Sequence, residues 1–360
     1  MTENEIPDKM LKEKTTNRPQ RNSSIELYRI IATFAVLIVH FNGWFVGDWP
    51  LPDYDINNPT LFRSGQMVLE ALSVICVNMF VIISGYFGIK LKLSSIIKLY
   101  IYLALIYIPL YFLRYLTTHE FVLTDFFERC FVISYAGYFI QCYFMLMILS
   151  PVLNAFIDKY GRDSLKWVIV FWGLEFWFSC IMDVEELGYN RGFSVIHFVL
   201  MYMIARCVRL YEDDIKKMKR WFWVLGYLLS TTVIVLSHIF GIKWCWDYSN
   251  PVVVFSSVCS FLPFLYRNFH NRFINWIASG TLAVYIIQVT HHIKTFLCSV
   301  DVELLETNSY SMYLAKILLV IILTFVVSAL YGIVCNHISS QVTSRIDLKI
   351  KKVRTLFDFM

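Results

Sequence analysis

The sequence is poor in charged residues for its length. Only 16% of its 360 residues are Asp, Glu, Lys or Arg, whereas 58% are hydrophobic. An average soluble domain has about 25% charged residues, so this balance excludes an ordinary soluble protein. The basic residues lie in short segments between apolar runs rather than in one patch. We therefore predict no nucleic-acid partner.

The sequence also lacks the paired cysteine motifs that are typical of metal and redox sites. Its nine cysteines form no Cys-x-x-Cys pair, and nearly all of them lie within apolar segments. Cysteines in such places usually pack as small hydrophobic residues. We predict no metal site, no disulfide framework and no bound cofactor.

What the sequence has in abundance is long apolar runs. Runs of about 18 or more apolar residues are typical of transmembrane helices, and only helices or closed barrels can cross a bilayer. The sequence therefore predicts an all-α, polytopic transmembrane helix bundle. Its ten expected spans are 24–45, 66–88, 95–116, 131–155, 166–182, 193–210, 221–241, 251–267, 274–297 and 312–335.

The distribution of charge predicts how these spans are oriented. Both terminal segments and alternate loops are rich in Lys and Arg, whereas the opposite loops are rich in Asp and Glu. Cytoplasmic loops carry the excess of Lys and Arg, so we expect both termini in the cytoplasm. We divide the chain into a flexible cytoplasmic tail (1–22), a transmembrane domain (23–340) and a basic cytoplasmic tail (341–360).

Two polar residues in the first predicted span share one helix face. Arg29 and His40 are eleven residues apart, which is about 20° past three full helical turns and roughly 16 Å along the axis. Ionisable residues inside a membrane span are costly and face protein or water rather than lipid. The pair predicts a reaction site or a pathway that extends across part of the membrane.

Four short motifs follow one another along the predicted transmembrane domain. They are Glu26-Leu-Tyr-Arg29 with His40 eleven residues later, Val77-Asn-Met-Phe-Val-Ile-Ile-Ser-Gly-Tyr-Phe87, Gly137-Tyr-Phe-Ile-Gln-Cys-Tyr143 leading to Ser150-Pro-Val-Leu-Asn154, and Gly192-Phe-Ser-Val-Ile-His-Phe-Val-Leu-Met-Tyr202 ending near Arg209. In this order they resemble motifs of the acyltransferase-3 family of membrane acyltransferases. The resemblance extends from about residue 23 to about residue 335.

This resemblance implies an activity. Members of the family transfer acyl groups, most often acetyl from acetyl-CoA, to hydroxyls of surface polysaccharides and other acceptors. It implies that His40 is the catalytic histidine and Arg29 its essential partner. The expected partners are acyl-CoA as co-substrate, a glycan or lipid-linked sugar as acceptor, and the lipids of a bacterial plasma (inner) membrane.

The resemblance and the positions of polar residues suggest further site residues. The family often has an arginine pair early in the third helix, where this chain has only Lys98, and a histidine in a late helix, where it has Gln288. Glu26 is expected to pair with Arg29, since it lies one turn earlier. The other candidates are Asn78 and Ser84 as supporting residues, Lys98 and Arg209 as donor contacts, and Tyr138, Tyr143 and Asn154 on the acceptor side.

Several alternatives remain open from the sequence. His40 could act as a general base or could itself be acylated. Glu70 and Glu175 could handle protons, and His197 could serve packing or CoA contact. A polysaccharide or small-solute transporter would also have many spans and intramembrane charges, although such proteins more often show two similar halves. A polysaccharide polymerase is expected to have a larger outer loop.

Overall fold

The computed structural model describes residues 21–48, 50–130, 137–184 and 188–357, with side chains described as far as residue 347. Every regular element in these ranges is a helix, which confirms the all-α prediction. The α-helices are α1 (Ser23–Val39), α2 (Leu61–Ser73), α3 (Cys76–Phe87), α4 (Leu93–Thr118), α5 (Leu123–Cys130), α6 (Tyr138–Tyr160), α7 (Ser164–Phe176), α8 (Val195–Leu210), α9 (Glu212–Lys217), α10 (Arg220–Ile239), α11 (Pro251–Phe261), α12 (Arg272–Ala278), α13 (Thr281–Val289), α14 (His291–Thr307) and α15 (Tyr310–Phe357).

The helices account for the expected spans, although not all of them are long. Six of the described segments are long and apolar enough to cross a membrane, and a bent pair would make a seventh. The span expected at 193–210 is α8, whose 16 residues extend about 24 Å, less than a hydrocarbon core of about 30 Å. Residues 131–136, the start of another expected span, lie outside the described residues. The number of ten spans therefore stays a prediction.

The segment of the span expected at 274–297 is bent. The stretch Arg272–Val289 and helix α14 are bent by 78° relative to each other, and Thr290 between them has an extended backbone. Helix α14 contains His291, Lys294 and Asp301, and such side chains disfavour burial of a continuous span in lipid. The bent pair is a broken span or a re-entrant loop, so the span expected at 274–297 stays a prediction.

Contacts between loops and helix ends mark the two ends of the bundle. At one end, Ser23 N donates to Phe269 O at 2.9 Å, and Arg162 forms an ion pair with Asp214 at 2.8 Å. We call this the basic end. At the other, the acidic end, Asn42 contacts helix α2 and Lys294 packs on Trp44. The cytoplasmic position of the basic end stays a prediction.

Close packing in the centre places α1 among other helices. A Cβ atom on Gly85 of α3 would lie 2.7 Å from the carbonyl oxygen of Tyr202 in α8, so only glycine permits this approach, as the Ser-Gly motif predicted. Helix α1 packs against α2, α3, α12, α13 and α15. Its side chains therefore face protein on most sides.

The last helix extends beyond the expected domain boundary. Helix α15 runs from Tyr310 to Phe357 without a break, so the basic tail expected at 341–360 belongs to it as far as Phe357. The expected N-terminal tail, 1–22, lies outside the described residues except for its last two.

Candidate active site

Helix α1 holds Arg29 and His40 toward the interior of the bundle. Its first turn is fixed by Asn22, whose side chain accepts a hydrogen bond from Ser24 N at 3.0 Å, as N-cap residues do. The Ser24 hydroxyl donates to Phe264 O at 2.8 Å and ties this end of α1 to a neighbouring segment. Arg29 and His40 each line an internal cavity.

The cavity beside His40, which we call the His40 cavity, is the larger of the two. Its volume is about 650 Å³, within the range of small-molecule sites. Polar groups of Thr290, His291 and Lys294 come from the break after α13 and the first turn of α14. Six aromatic side chains form much of its wall: Trp44, Tyr107, Tyr138, Phe193, Tyr248 and Tyr285.

The cavity beside Arg29, which we call the Arg29 cavity, is narrow and mostly apolar. Its volume is about 130 Å³, and its polar lining comes chiefly from Arg29, Ser84, Tyr143 and Thr281. The volume is too small for a nucleotide, but a thin flexible chain could extend through such a space.

The two cavities border each other. Val36, Val77 and Tyr285 line both of them. Val36 lies on α1 between Arg29 and His40, so the wall that the cavities share lies between these two residues. The arginine and the histidine therefore face two adjoining spaces, one toward each end of the bundle.

The chain changes its helical geometry at His40. A π-helical turn, His40–Trp44, follows α1, and π-turns of this kind are frequent at functional sites. The imidazole packs against Trp44 at 4.8 Å and Phe45 at 5.7 Å between ring centroids. These two rings restrict the orientation of the histidine.

The two nitrogens of His40 have different surroundings. Nδ1 is buried and, among the described residues, has no hydrogen-bond partner, whereas Nε2 does not belong to the buried atoms without a partner. The side chain of Gln288 lies beside the imidazole. Gln288 is fully buried, and neither atom of its amide has a hydrogen-bond partner in the described part of the chain. A glutamine amide can both donate and accept, so a small rotation would let it pair with Nδ1.

Arg29 has the acidic neighbour that the sequence predicted. Its Nε lies 3.2 Å from Oε2 of Glu26, in a geometry that does not satisfy a hydrogen bond. The Arg29 side chain is 36% exposed and that of Glu26 13%. The guanidinium is therefore held near one carboxylate while it still faces the cavity.

Among the supporting candidates, Ser84, Tyr143 and Tyr138 line the cavities. Ser84 Oγ donates to Phe80 O at 3.1 Å and lies 3.4 Å from the Tyr143 hydroxyl. Tyr138 lines the His40 cavity as expected for the acceptor side. Tyr143, expected on that side as well, instead lines the Arg29 cavity. One helical turn or more separates the two tyrosines on α6 and accounts for the difference.

Asn78 lies in a buried network outside both cavities. Its Oδ1 is 2.8 Å from His197 Nε2, and His197 Nδ1 is 2.9 Å from Oε1 of Glu175. The Asn78 amide nitrogen is 3.2 Å from both Tyr248 O and the Ser257 hydroxyl. Since Asn78 accepts from His197 rather than facing His40, it connects helices. His197 and Glu175 thus have structural partners, which agrees with the packing alternative for His197.

Three further candidates lie away from the cavities, at the basic end. Asn154 was expected on the acceptor side, but it donates to Ile89 O at 2.9 Å and accepts from Tyr202 at 2.8 Å. Arg209 donates to the Tyr86 hydroxyl at 2.7 Å and pairs with Glu212. Lys98 is half-buried near Arg21, one residue before Leu99 of the Arg29 cavity.

The positive charge of Arg209 is paired with the carboxylate of Glu212. Although burial opposes ionisation, hydrogen bonds from Lys216 and Tyr86 and the charge of Arg209 hold the pKa of Glu212 below its ordinary value. The carboxylate of Glu212 therefore stays charged and forms an ion pair with Arg209. This leaves Arg29 as the guanidinium that lines a described cavity.

The structure adds site residues that the sequence reasoning did not single out. Trp44, Tyr285 and Lys294 line the His40 cavity, and Gln288 lies beside His40. Gln288 had been noted only as a departure from a motif. Lys294 carried no signal, because its position depends on the break at Thr290. Among the described residues, no group of three or more His, Cys, Asp and Glu side chains is placed to hold a metal ion.

The fold and the site together define a class. A helix bundle in which six described segments are long and apolar enough to cross a membrane indicates a multi-pass membrane protein. A family model described as an acyltransferase domain matches residues 22–333, and the chain belongs to the acyltransferase 3 family. Neither a curated protein nor a solved structure matches the chain. Family and fold support a multi-pass membrane acyltransferase.

Proposed function

We propose that the protein is an O-acyltransferase of the plasma (inner) membrane that moves an acyl group, acetyl in the first instance, from cytoplasmic acyl-CoA to a hydroxyl of a cell-surface glycan. The supporting observation is that Arg29 and His40 face two cavities with a shared wall. A donor that enters at the basic end can then meet an acceptor that enters at the acidic end.

In the proposed reaction His40 is the general base. His40 lines the cavity, and in this proposal its Nε2 takes the proton of the acceptor hydroxyl. The hydroxyl oxygen attacks the thioester carbonyl, the new C–O bond forms, and the C–S bond breaks as the oxyanion collapses. The protonated imidazole returns its proton to the departing thiolate of CoA, so no other reactant is needed. A route in which His40 is acylated first would use the same cavities.

Gln288 completes this arrangement by holding the histidine. After the small rotation described above, its amide oxygen would accept the hydrogen from Nδ1–H, which would leave Nε2 as the unprotonated nitrogen. This is the role that a third polar residue has in other nucleophile and base pairs. Gln288 acts through His40, so it is a positioning residue.

Arg29 binds the donor at the opposite end of the same helix face. A guanidinium is suited to a phosphate oxygen, since it offers several donors in one plane. The roughly 16 Å between Arg29 and His40 along the axis is comparable to an extended pantetheine arm. In this proposal the arm passes the Arg29 cavity, about 130 Å³, toward the His40 cavity, and the nucleotide stays outside.

Transfer assays with the purified full chain test this proposal. The protein in lipid nanodiscs is supplied with radiolabelled acetyl-CoA and a mixture of glycan acceptors, and succinyl-CoA in a parallel assay tests the acyl group. We expect His40→Ala to lower the rate by about 10²-fold to 10⁴-fold, since general bases contribute this much. His337→Ala is the matched control, because His337 is exposed and its hydrogen bond within the described part of the chain is to Gln341.

Two results would contradict the proposal. One is equal acyl transfer by the His40→Ala variant, which would remove the base from the mechanism. The other is movement of a glycan or solute across the membrane with no consumption of acyl-CoA, which would favour the transporter alternative.

A further inference from the structure

The charge inside the His40 cavity is one-sided. Lys294 belongs to the described lining, whereas no Asp, Glu or Arg does. His291, also in the lining, can add positive charge but not negative. This contrasts with the rest of the acidic end, where the loops are rich in carboxylates.

Lys294 is held inside the cavity rather than directed to the surface. Its Nζ lies 3.7 Å from the centroid of the Trp44 ring, a cation–π contact, and its side chain is half-buried. The same indole also contacts His40, at 4.8 Å between ring centroids. Lys294 and the base therefore contact the same ring.

Further positive groups lie next to the cavity. The ring of His292 is 5.3 Å from that of His291, and His292 is close enough to Arg114 to feel its charge. Arg114 forms an ion pair with Asp125. Two other carboxylates lie near but outside the lining: Asp301 acts on Cys298, as Lys294 does, and Glu70 acts on Cys76 and Tyr248 of the wall. Lys294 is therefore the charged side chain of the lining that an anion inside the cavity would meet directly.

We propose that the His40 cavity binds an acceptor with an anionic group, a carboxylate or a phosphate, beside Lys294 while a hydroxyl of the same acceptor reaches His40. This inference rests on the proposed function, because it names the class of acceptor for that site. The aromatic wall packs against the apolar faces of a sugar ring, and Lys294 selects for charge. A neutral sugar would leave the ammonium without an anionic partner.

Binding measurements separate this inference from the transfer reaction. Saturation-transfer NMR with the full chain in nanodiscs compares three probes: methyl β-glucuronide, methyl β-glucoside and glucose 6-phosphate. The first two probes differ only at C6, so the ratio of their affinities reports the effect of the carboxylate charge. The third probe tests a phosphate in place of the carboxylate. We expect at least one anionic probe to bind about tenfold or more tightly than the glucoside, as charge-assisted hydrogen bonds predict.

Variants of Lys294 test whether this residue is the cause. Lys294→Gln is expected to reduce the affinity for the anionic probe to that for the glucoside, and Lys294→Arg to keep the preference. Lys243→Gln is the matched control, because Lys243 is exposed and lies outside the cavity lining. It should leave the preference unchanged.

The outcomes are distinct. Equal binding of charged and neutral probes, no binding of either anionic probe, or a preference that survives Lys294→Gln would overturn the anionic acceptor. Preferred anion binding in a protein that transfers no acyl group would instead keep this inference and contradict the proposed function.

Discussion

At the scale of single residues, the polar atoms without partners are the most informative. Buried amides in folded proteins are almost always hydrogen-bonded, yet both polar atoms of the Gln288 side chain lack a partner among the described residues. Nδ1 of His40, next to it, lacks one as well. Such a cluster is costly unless its members pair with each other or with a ligand. Here it coincides with the residue that we propose as the base.

Substitution of Gln288 tests its positioning role. We expect Gln288→Leu to lower kcat by about tenfold to hundredfold, because loss of one hydrogen-bond partner costs about 1–3 kcal/mol. The KM for acetyl-CoA should stay the same, since the donor binds at Arg29. Gln288→Glu keeps an acceptor for Nδ1–H and should restore much of the rate. Steady-state kinetics of both variants give these values.

A purely structural role for Gln288 gives a different pattern. In that case Gln288→Leu would keep kcat while the melting temperature changed, or Gln288→Glu would be no better than Gln288→Leu. Thermal unfolding of each variant in nanodiscs identifies any loss of folded protein.

The sequence predicted some residues of the site better than others. Arg29 and His40 could be placed on one face because helical periodicity alone fixes their phase. Asn154 and Arg209 could not be placed, since a motif does not reveal whether its polar side chain faces a cavity or a neighbouring backbone. The position of Lys294 depends on a bend in the chain, and no local sequence pattern predicted its contact with Trp44.

At the scale of helices, the approach of α3 and α8 is the contact most dependent on a single residue. Gly85 has the Tyr202 carbonyl oxygen and the Ala205 Cβ each 2.7 Å from the place of its absent Cβ. Backbone atoms cannot yield as a flexible side chain can, so any larger residue would push the two helices apart. These helices also carry Asn78 and His197 of the buried network.

We therefore expect Gly85→Ala to destabilise the protein by about 1–3 kcal/mol, the usual cost of overpacking. Gly173→Ala is the matched control: Gly173 also lies in a helix, but nothing would lie within 4 Å of its added Cβ. That variant should be neutral or slightly more stable, because alanine favours helix over glycine. Thermal unfolding in nanodiscs compares the two, and equal melting temperatures would contradict the close contact.

The sequence predicted the positions of the helices but not their bends or their exact lengths. Apolar runs located a helix for every expected span, because length and hydropathy determine that property. The bend at Thr290 and the short α8 were not predicted, since they depend on packing against neighbours. The bend matters for function because it directs His291 and Lys294 into the His40 cavity.

At the scale of the whole molecule, the two ends have different chemical characters. The basic end contains the start of α1 and the loops rich in Lys and Arg, and the acidic end contains the loops rich in Asp and Glu. Arg29 lies toward the first and His40 toward the second. The charge pattern in the sequence predicts this division, and the membrane orientation of the two ends stays a prediction. It did not predict the two adjoining cavities, whose walls come from helices far apart along the chain.

The central claim is that the acyl group crosses from one end of the bundle to the other. Proteoliposomes of known orientation test it directly, with labelled acetyl-CoA supplied on one side of the membrane and the glycan acceptor on the other. We predict labelled glycan only when the acetyl-CoA faces the basic end and the acceptor faces the acidic end. Equal labelling with the two substrates exchanged, or labelling only when both are on one side, would contradict the claim.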